Sequence, residues 1–292
     1  MRILLLGADG QLGRELKRSL ATIGGLTAFN RTGFDLTQPD KFRVQMRELK
    51  PEIVVNAAAY TAVDRAESEP HIARAVNSIA TGILGEETRR LNALLVHFST
   101  DYVFDGEKST PYSESDSPNP LCIYGRTKYE GELAIQASDC RHLILRISWV
   151  YGVHGANFLK TILKIARNQP SISVVNDQWG TPITTHRLAR TLSTLLANAQ
   201  KPGSIFTWSP GTYHLSPSGC TTWYEYALHI VSRFGLETEV HPMTTSSLNR
   251  PARRPGNSLL DSTRFHRDFG LSVGHWVEGF EEVCSSLESI PG

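Results

Sequence analysis

The sequence has no Cys-x-x-Cys pair, no His-Glu-x-x-His and no long apolar run, and each absence removes a class of function. Its four cysteines, Cys122, Cys140, Cys220 and Cys284, are scattered. That spacing suits neither a disulfide framework nor a thiolate metal site. Free thiols in a reducing cytosol, and so a cytoplasmic protein, are the expectation. The ten histidines form no tight cluster with one another or with cysteine, so no built-in zinc site is expected. The apolar stretch after Arg2 breaks at Gly7, too short for a signal peptide, and nothing reaches the length of a membrane-spanning helix. An excess of one charge is also missing. Thirty basic residues against twenty-nine acidic ones leave a net charge of +1, which points to neither a nucleic-acid nor a membrane partner. A small-molecule substrate with a local phosphate site is compatible with that balance.

What is present begins at the N-terminus, in MRILLLGADGQLGREL. A short apolar run at 3–6 enters Gly7, Gly10 and Gly13, and an amphipathic pattern (Leu12, Leu16, Leu20) follows. This reads as a strand, a tight turn and a helix start. Glycines there let a pyrophosphate approach the backbone and sit at the helix N-terminus. An ordinary βα turn has the same ingredients. A second feature is the run YGRTK, with Tyr124 and Lys128 four residues apart in a helical segment. Both side chains then share one helix face. A lysine one turn away is expected to favour the phenolate and bring the tyrosine closer to useful proton transfer. A surface helix pair has the same spacing. The glycine pattern is G-x-x-G-x-x-G rather than the G-x-G-x-x-G of other dinucleotide-binding enzymes. Together with the downstream Tyr124 and Lys128 it resembles the extended short-chain dehydrogenase/reductase superfamily.

Along the first half, apolar strands at 3–6, 26–30, 52–56, 94–99 and 143–148 alternate with helical patterns such as 39–49 and 70–91. That alternation predicts an α/β fold, a doubly wound parallel sheet of the Rossmann kind with helices on both faces. Near-continuous apolar strands fit burial on both sides. After Trp149 the pattern becomes irregular. It offers helices over 157–167 and 222–234, a strand-and-loop region over 174–184 and a Pro/Arg-rich loop over 248–260. The expected organisation is a cofactor-binding domain over 1–150, with later segments near 180–210 and 245–260 returning to it. A smaller, partly discontinuous substrate domain covers most of 151–292.

Sites of doubly wound sheets lie outside the carboxyl ends of the strands. Ala57, Ala58, Ala59 and Tyr60 follow one strand, Ser99, Thr100, Asp101 and Tyr102 another, and Trp149 and Tyr151 a third. A Thr100 hydroxyl at such a position would polarise a carbonyl as hydride arrives; a hydroxyl satisfied by nearby backbone is the alternative. The alanines leave room for a cofactor, or serve close packing.

The segments NAAAYTAVDRAESEP (56–70), HFSTDYVFDG (97–106), YGRTKYEGE (124–132), RISWVYG (146–152), NDQWGTP (176–182) and RPGNSLLD (254–261) resemble, in the expected order, those of the dTDP-4-dehydrorhamnose reductases. The resemblance implies reduction of the C4 ketone of dTDP-4-dehydro-L-rhamnose with hydride from a nicotinamide cofactor, a step in making rhamnose for surface polysaccharide. It implies Tyr124 as proton donor, Lys128 as ribose ligand that also tunes Tyr124, and Thr100 as assistant. Thr100 and Asp101 would contact the sugar and Trp149 would pack on it. Gly10, Gln11 and Leu12 would meet the cofactor phosphates, Asp35 and Leu36 the adenine, and Ala58, Ala59, Tyr60 and Phe98 the nicotinamide. Arg253 and Arg254 are either diphosphate ligands or part of a solvated loop. Asn30 and Arg31 stand where an acidic residue would bond the ribose 2′-hydroxyl of NAD. A cation there favours NADPH over NADH. The resemblance also raises a magnesium-bridged homodimer through Glu15, for which the sequence offers no matching further ligands. Three other activities fit the superfamily. A 4,6-dehydratase would carry Asp-Glu after the threonine, whereas Asp101 is followed by Tyr102. A reductase of another nucleotide 4-ketosugar would keep the same residues. A non-catalytic regulatory subunit like that of methionine adenosyltransferase would have no need of Thr100, Tyr124 and Lys128.

Overall fold

The computed structural model describes residues 1–198 and 211–289. Six parallel strands form the main sheet: β1 (Arg2–Leu6), β2 (Gly25–Phe29), β3 (Ile53–Asn56), β4 (Leu94–Thr100), β5 (Arg141–Ile147) and β10 (Gly211–His214). Their order is β10-β5-β4-β3-β1-β2. The chain therefore reverses direction across the sheet between β1 and β3. The doubly wound expectation holds because the strands are apolar on both faces. Ile3 and Leu5 point into one core, while Leu4 and Leu6 point into the other.

The first core is covered by α1 (Gln11–Leu20) and by α8 (Thr185–Asn198), through Leu16, Leu20, Leu188, Leu192 and Leu196. The second is covered by α2 (Pro39–Leu49), α5 (Ala80–Arg90) and α6 (Ile123–Ala137), through Phe42, Met46, Leu84 and Ile135. The pattern over 70–91 predicts one helix. The structure has α4 (Pro70–Arg74), a π turn over Ala75–Ile79, and then α5. The wider turn holds Asn77 against the loop after β3. Its Oδ1 accepts the Tyr60 N–H at 2.8 Å and its Nδ2 donates to the Tyr60 carbonyl at 3.0 Å. Such bulges recur at functional sites.

Beyond β6 (Val150–Tyr151) a smaller lobe forms around α7 (Phe158–Ala166), α9 (Trp223–Arg233) and α11 (Trp276–Glu288). Its own core includes Tyr151, Leu159, Tyr226, Ile230, Trp276 and Phe280. Short two-stranded pairings edge it. β7 (Ser171–Val175) runs parallel to β12 (Glu239–Met243), and β8 (Trp179–Gly180) pairs with β11 (Thr221–Thr222). Arg187 of α8 ties the lobes together, donating to Glu278 and Glu282 of α11 and to the Val273 carbonyl.

One strand of the second half has no counterpart in the sequence reading: β10 completes the edge of the main sheet beside β5. α8, within the segment expected to return near 180–210, lies on α1. Of the segment expected to return near 180–210, the part after 198 lies outside the described residues. The loop over 248–260 is irregular as expected and reaches back to the first lobe, where the Tyr112 N–H donates to the Leu259 carbonyl at 2.8 Å. Among the described residues no helix is long and apolar enough to cross a membrane.

Candidate active site

A cleft of ≈ 700 Å³ opens at the carboxyl ends of β1, β3 and β4, where the strand order reverses. This is where ligands bind in doubly wound sheets, and the volume lies in the range of small-molecule sites. Its first wall is the glycine turn. Gly7 has φ +80°, and a Cβ on it would lie 2.7 Å from the Ala58 nitrogen. Only glycine lets β1 and β3 approach so closely there. A Cβ on Gly13 would lie 2.0 Å from the Gly7 carbonyl oxygen. Gly13 thus permits contact between α1 and the turn. Gly10 caps α1 without any side-chain hydrogen bond, and no acidic residue occupies the first turn. The free N–H groups of that turn suit an anion. Gln11 and Leu12 complete this wall.

Asn30, Arg31, Asp35 and Leu36 form the second wall. Asn30 Nδ2 donates to Asp9 Oδ2 at 2.8 Å, which fixes the end of β2 against the glycine turn. Arg31 is exposed at the cleft edge. The Thr37 amide holds the Asp35 carboxyl below its usual range, and burial opposes this.

The floor combines Ala57, Ala58, Ala59, Tyr60 and Phe98 with Thr100, Asp101, Tyr124 and Lys128. Tyr124 and Lys128 share one face of α6 and both line the cleft. Burial raises the Tyr124 phenol above its ordinary value, opposed by the neighbouring Thr100 hydroxyl. Lys128 is 1% exposed, and its Nζ binds the Phe98 carbonyl at 2.6 Å and His97 Nε2 at 3.0 Å. Burial pulls it down to about 8, against the pull of Glu132. In this fold the lysine is anchored to β4.

Asp101 is 3% exposed. Its Oδ1 accepts the Thr100 hydroxyl at 2.9 Å, while Oδ2 completes no hydrogen bond. Burial pushes its carboxyl up to about 6, and Ser258 and Thr100 oppose the shift. A folded-state value above the unfolded one means that the folded chain binds more protons between roughly pH 4 and 6. Stability is therefore lost as pH rises through that window, and the cost stays constant above it. Asp101→Asn should remove a cost on the order of 2 kcal/mol at pH 7–8. The melting temperature should then rise by several degrees at pH 8 and converge with the wild type near pH 4. An equal shift at both pH values, read by calorimetry, would remove the buried charge from the account.

On the substrate side Trp149 has φ +46°, a backbone that bulky residues seldom adopt. Its indole stacks on Trp223 of α9, with ring centroids 3.4 Å apart and planes 8° apart. Trp149 thus lines the cleft with one face covered by the smaller lobe. Arg254 lies elsewhere. Its guanidinium forks onto Asp64 at 2.9 and 3.1 Å and donates to the Ala252 carbonyl. Arg253 is exposed on the same loop, and neither arginine lines the cleft. Glu15 is nearly buried and faces His154 Nε2 at 3.5 Å and His186 Nδ1 at 3.6 Å. Among the described residues no group of three His, Cys, Asp or Glu has the arrangement of a metal site. The cysteines are free, with Cys220 exposed and the other three buried.

Sequence reasoning missed Asn56, Asp64, Asn77, His97 and Trp223, all of which hold a site residue in place. Only His97 left a signal, as a polar residue inside the apolar run LLVHF.

The chain matches the family model of the RmlD substrate binding domain over residues 1–289. It is 39% identical over 297 residues to the dTDP-4-dehydrorhamnose reductase of Salmonella typhimurium, covering 98% of each chain. Among solved structures it resembles the dTDP-4-dehydrorhamnose reductase of Bacillus anthracis in complex with NADP, with a TM-score of 0.91 and 32% identity over 98% of this chain and 99% of that one. A UDP-glucose 4-epimerase of Thermus thermophilus in complex with NAD, at 18% identity and a TM-score of 0.82 over the whole of both chains, shares the fold.

Proposed function

The chain belongs to the RmlD substrate binding domain family, and from that premise we propose that it is an NADPH-dependent reductase of the C4 ketone of dTDP-4-dehydro-L-rhamnose, giving dTDP-L-rhamnose. The observation that carries this reading is the convergence of Tyr124, Thr100 and Lys128 beneath the glycine turn in one cleft. Position 102, where a dehydratase needs a carboxylate, holds a tyrosine packed edge-on against Tyr124 at 5.5 Å. That favours simple reduction.

The cleft fits a dinucleotide because no side chain hydrogen-bonds to the N-terminus of α1, which opens on the glycine turn. When bound, NADPH supplies the hydride. Gly7, Gly10, Gln11 and Leu12 hold its diphosphate, Asp35 and Leu36 border the adenine, and Asn30 and Arg31 take the 2′-phosphate. Ala58, Ala59, Tyr60 and Phe98 border the nicotinamide, and Lys128 holds the ribose. Tyr124 gives its phenolic proton to the C4 oxygen. Thr100 steadies that oxygen as charge develops, and Thr100, Asp101 and Trp149 orient the sugar. Arg253 and Arg254 meet the diphosphate of the sugar nucleotide only if Arg254 leaves Asp64. Residues 1–150, with the returns near 180–198 and 245–260, make the cofactor domain, and the remainder of 151–292 makes the substrate domain. The free thiols fit work in the cytoplasm. Loss of NADPH absorbance on adding the ketosugar tests the activity, and no loss across pH 6–9 would remove it.

Cofactor choice gives a sharper test. If Arg31 meets the 2′-phosphate, Arg31→Ala raises the KM for NADPH much more than for NADH. A hydrogen bond to a charged group contributes roughly 1.5–3 kcal/mol, or about ten- to a hundredfold. Exposure puts the effect at the low end. Added salt should weaken NADPH binding more than NADH binding. Equal losses for both cofactors would mean that Arg31 stacks on the shared adenine.

A further inference from the structure

The polar groups behind Lys128 bear on its charge. Asn56 ends β3 and pairs in register with His97 of β4, and both are 1% exposed. Asn56 Oδ1 accepts the Ala58 N–H at 3.1 Å, so the amide cannot turn over without stranding that donor. Its Nδ2 therefore points as a donor at His97 Nδ1, 3.1 Å away. A ring nitrogen that accepts carries no proton, and a neutral imidazole has one proton. Burial holds His97 well below the usual histidine range and hence neutral. Its proton thus sits on Nε2, which lies 3.0 Å from Lys128 Nζ. An ammonium has three protons and no lone pair, so it would meet Nε2–H donor to donor. A neutral amine accepts from Nε2–H and still donates to the Phe98 carbonyl.

We propose that Asn56 and His97 are positioning residues that set the protonation of Lys128, biasing it toward the neutral amine and coupling its charging to the Asn56 amide and the Ala58 backbone that lines the cleft. The proposal rests on the reading of Lys128 as the group that holds the cofactor ribose. The other charged or titratable groups around Nζ are occupied. Glu132, on the same helix, is fully buried and forks onto Arg146 of β5. His214 of β10 stands behind that arginine, pushed down to about 3 by burial. Tyr124 and Asp101 on the cleft side are both shifted by burial toward their protonated forms. His97 is the neighbour in contact with Nζ whose tautomer can change the charge.

The test uses the full chain without cofactor. Nitrogen-15 NMR of labelled histidine reads the tautomer of His97, and carbon-13 shifts of labelled lysine read the titration of Lys128. The expected result is the Nε2–H tautomer and a Lys128 midpoint at about 8 or lower. Asn56→Asp offers His97 Nδ1 an acceptor, moves the proton to that nitrogen and turns Nε2 into an acceptor. The Lys128 midpoint should then rise by about one pH unit or more, and the basic limb of kcat/KM should move with it. His97→Gln, whose amide can rotate to accept from Nζ, should shift both in the same direction. An Nδ1–H tautomer in the wild type, or an unmoved midpoint in folded Asn56→Asp, would overturn the proposal. If the variants do not fold, the wild-type tautomer decides. Both NMR readings are independent of turnover, so an inactive chain that shows the expected shift supports this proposal while refuting the proposed reaction.

Discussion

Replacing Tyr124 by Phe lowers turnover by about 10²–10⁴-fold, the usual contribution of a positioned acid or base. The substitution keeps the ring that packs edge-on against Tyr102 and deletes only the hydroxyl. Burial raises that phenol, so it keeps its proton at neutral pH and is ready to act as an acid in the direction of reduction. Lys128 is held by β4 through Phe98 and His97, so the cofactor dissociation constant should stay within about threefold of the wild type, a change of under 1 kcal/mol. Stopped-flow measurement of NADPH oxidation, beside a fluorescence titration of NADPH, separates the two quantities. Near-normal turnover in the variant would take Tyr124 out of the reaction.

Lys128→Met should damage binding and turnover together. It removes the proposed ribose contact and the titrating amine of the cleft floor. Cofactor binding should weaken by about tenfold or more, as for loss of a hydrogen bond to a charged group, and turnover should fall by roughly 10²-fold or more. The pH dependence is the diagnostic part. With Lys128 at about 8, the wild type loses cofactor affinity as pH rises through that value, because the charged form holds the phosphate-bearing ligand better. In Lys128→Met that limb should disappear and the falling edge of the profile should move to higher pH. A variant that loses only affinity and keeps the wild-type limb would show that another group titrates there.

The parts of this protein that were legible in sequence are those written locally. Apolar strands separated by helix-length patterns gave the sheet, because burial on both faces leaves continuous runs such as ILLL and EIVVN. Gly7 and Gly10 marked the turn, and the i, i+4 spacing put Tyr124 and Lys128 on one face of α6. What was hidden depends on pairings between distant segments. Asn56 and His97 are 41 positions apart and meet only through the register of β3 and β4. Arg254 reaches Asp64 across 190 positions. Trp223 supports Trp149 from another lobe. β10 reads GTYH and so offers no continuous apolar run to reveal it. Spacing along a helix sets which face a side chain takes, whereas burial and the partners on β4 decide the charge of Lys128.

The central claim is a reaction, and one measurement meets it directly. Purified protein is given dTDP-4-dehydro-L-rhamnose and NADPH, with NADH in a parallel sample, and the sugar product is identified by NMR. The account predicts dTDP-L-rhamnose formed in step with NADPH oxidation, faster than with NADH at equal low concentration, and abolished or nearly so in Tyr124→Phe. Unchanged ketosugar with intact NADPH, or the same product formed at the wild-type rate by Tyr124→Phe, would contradict it.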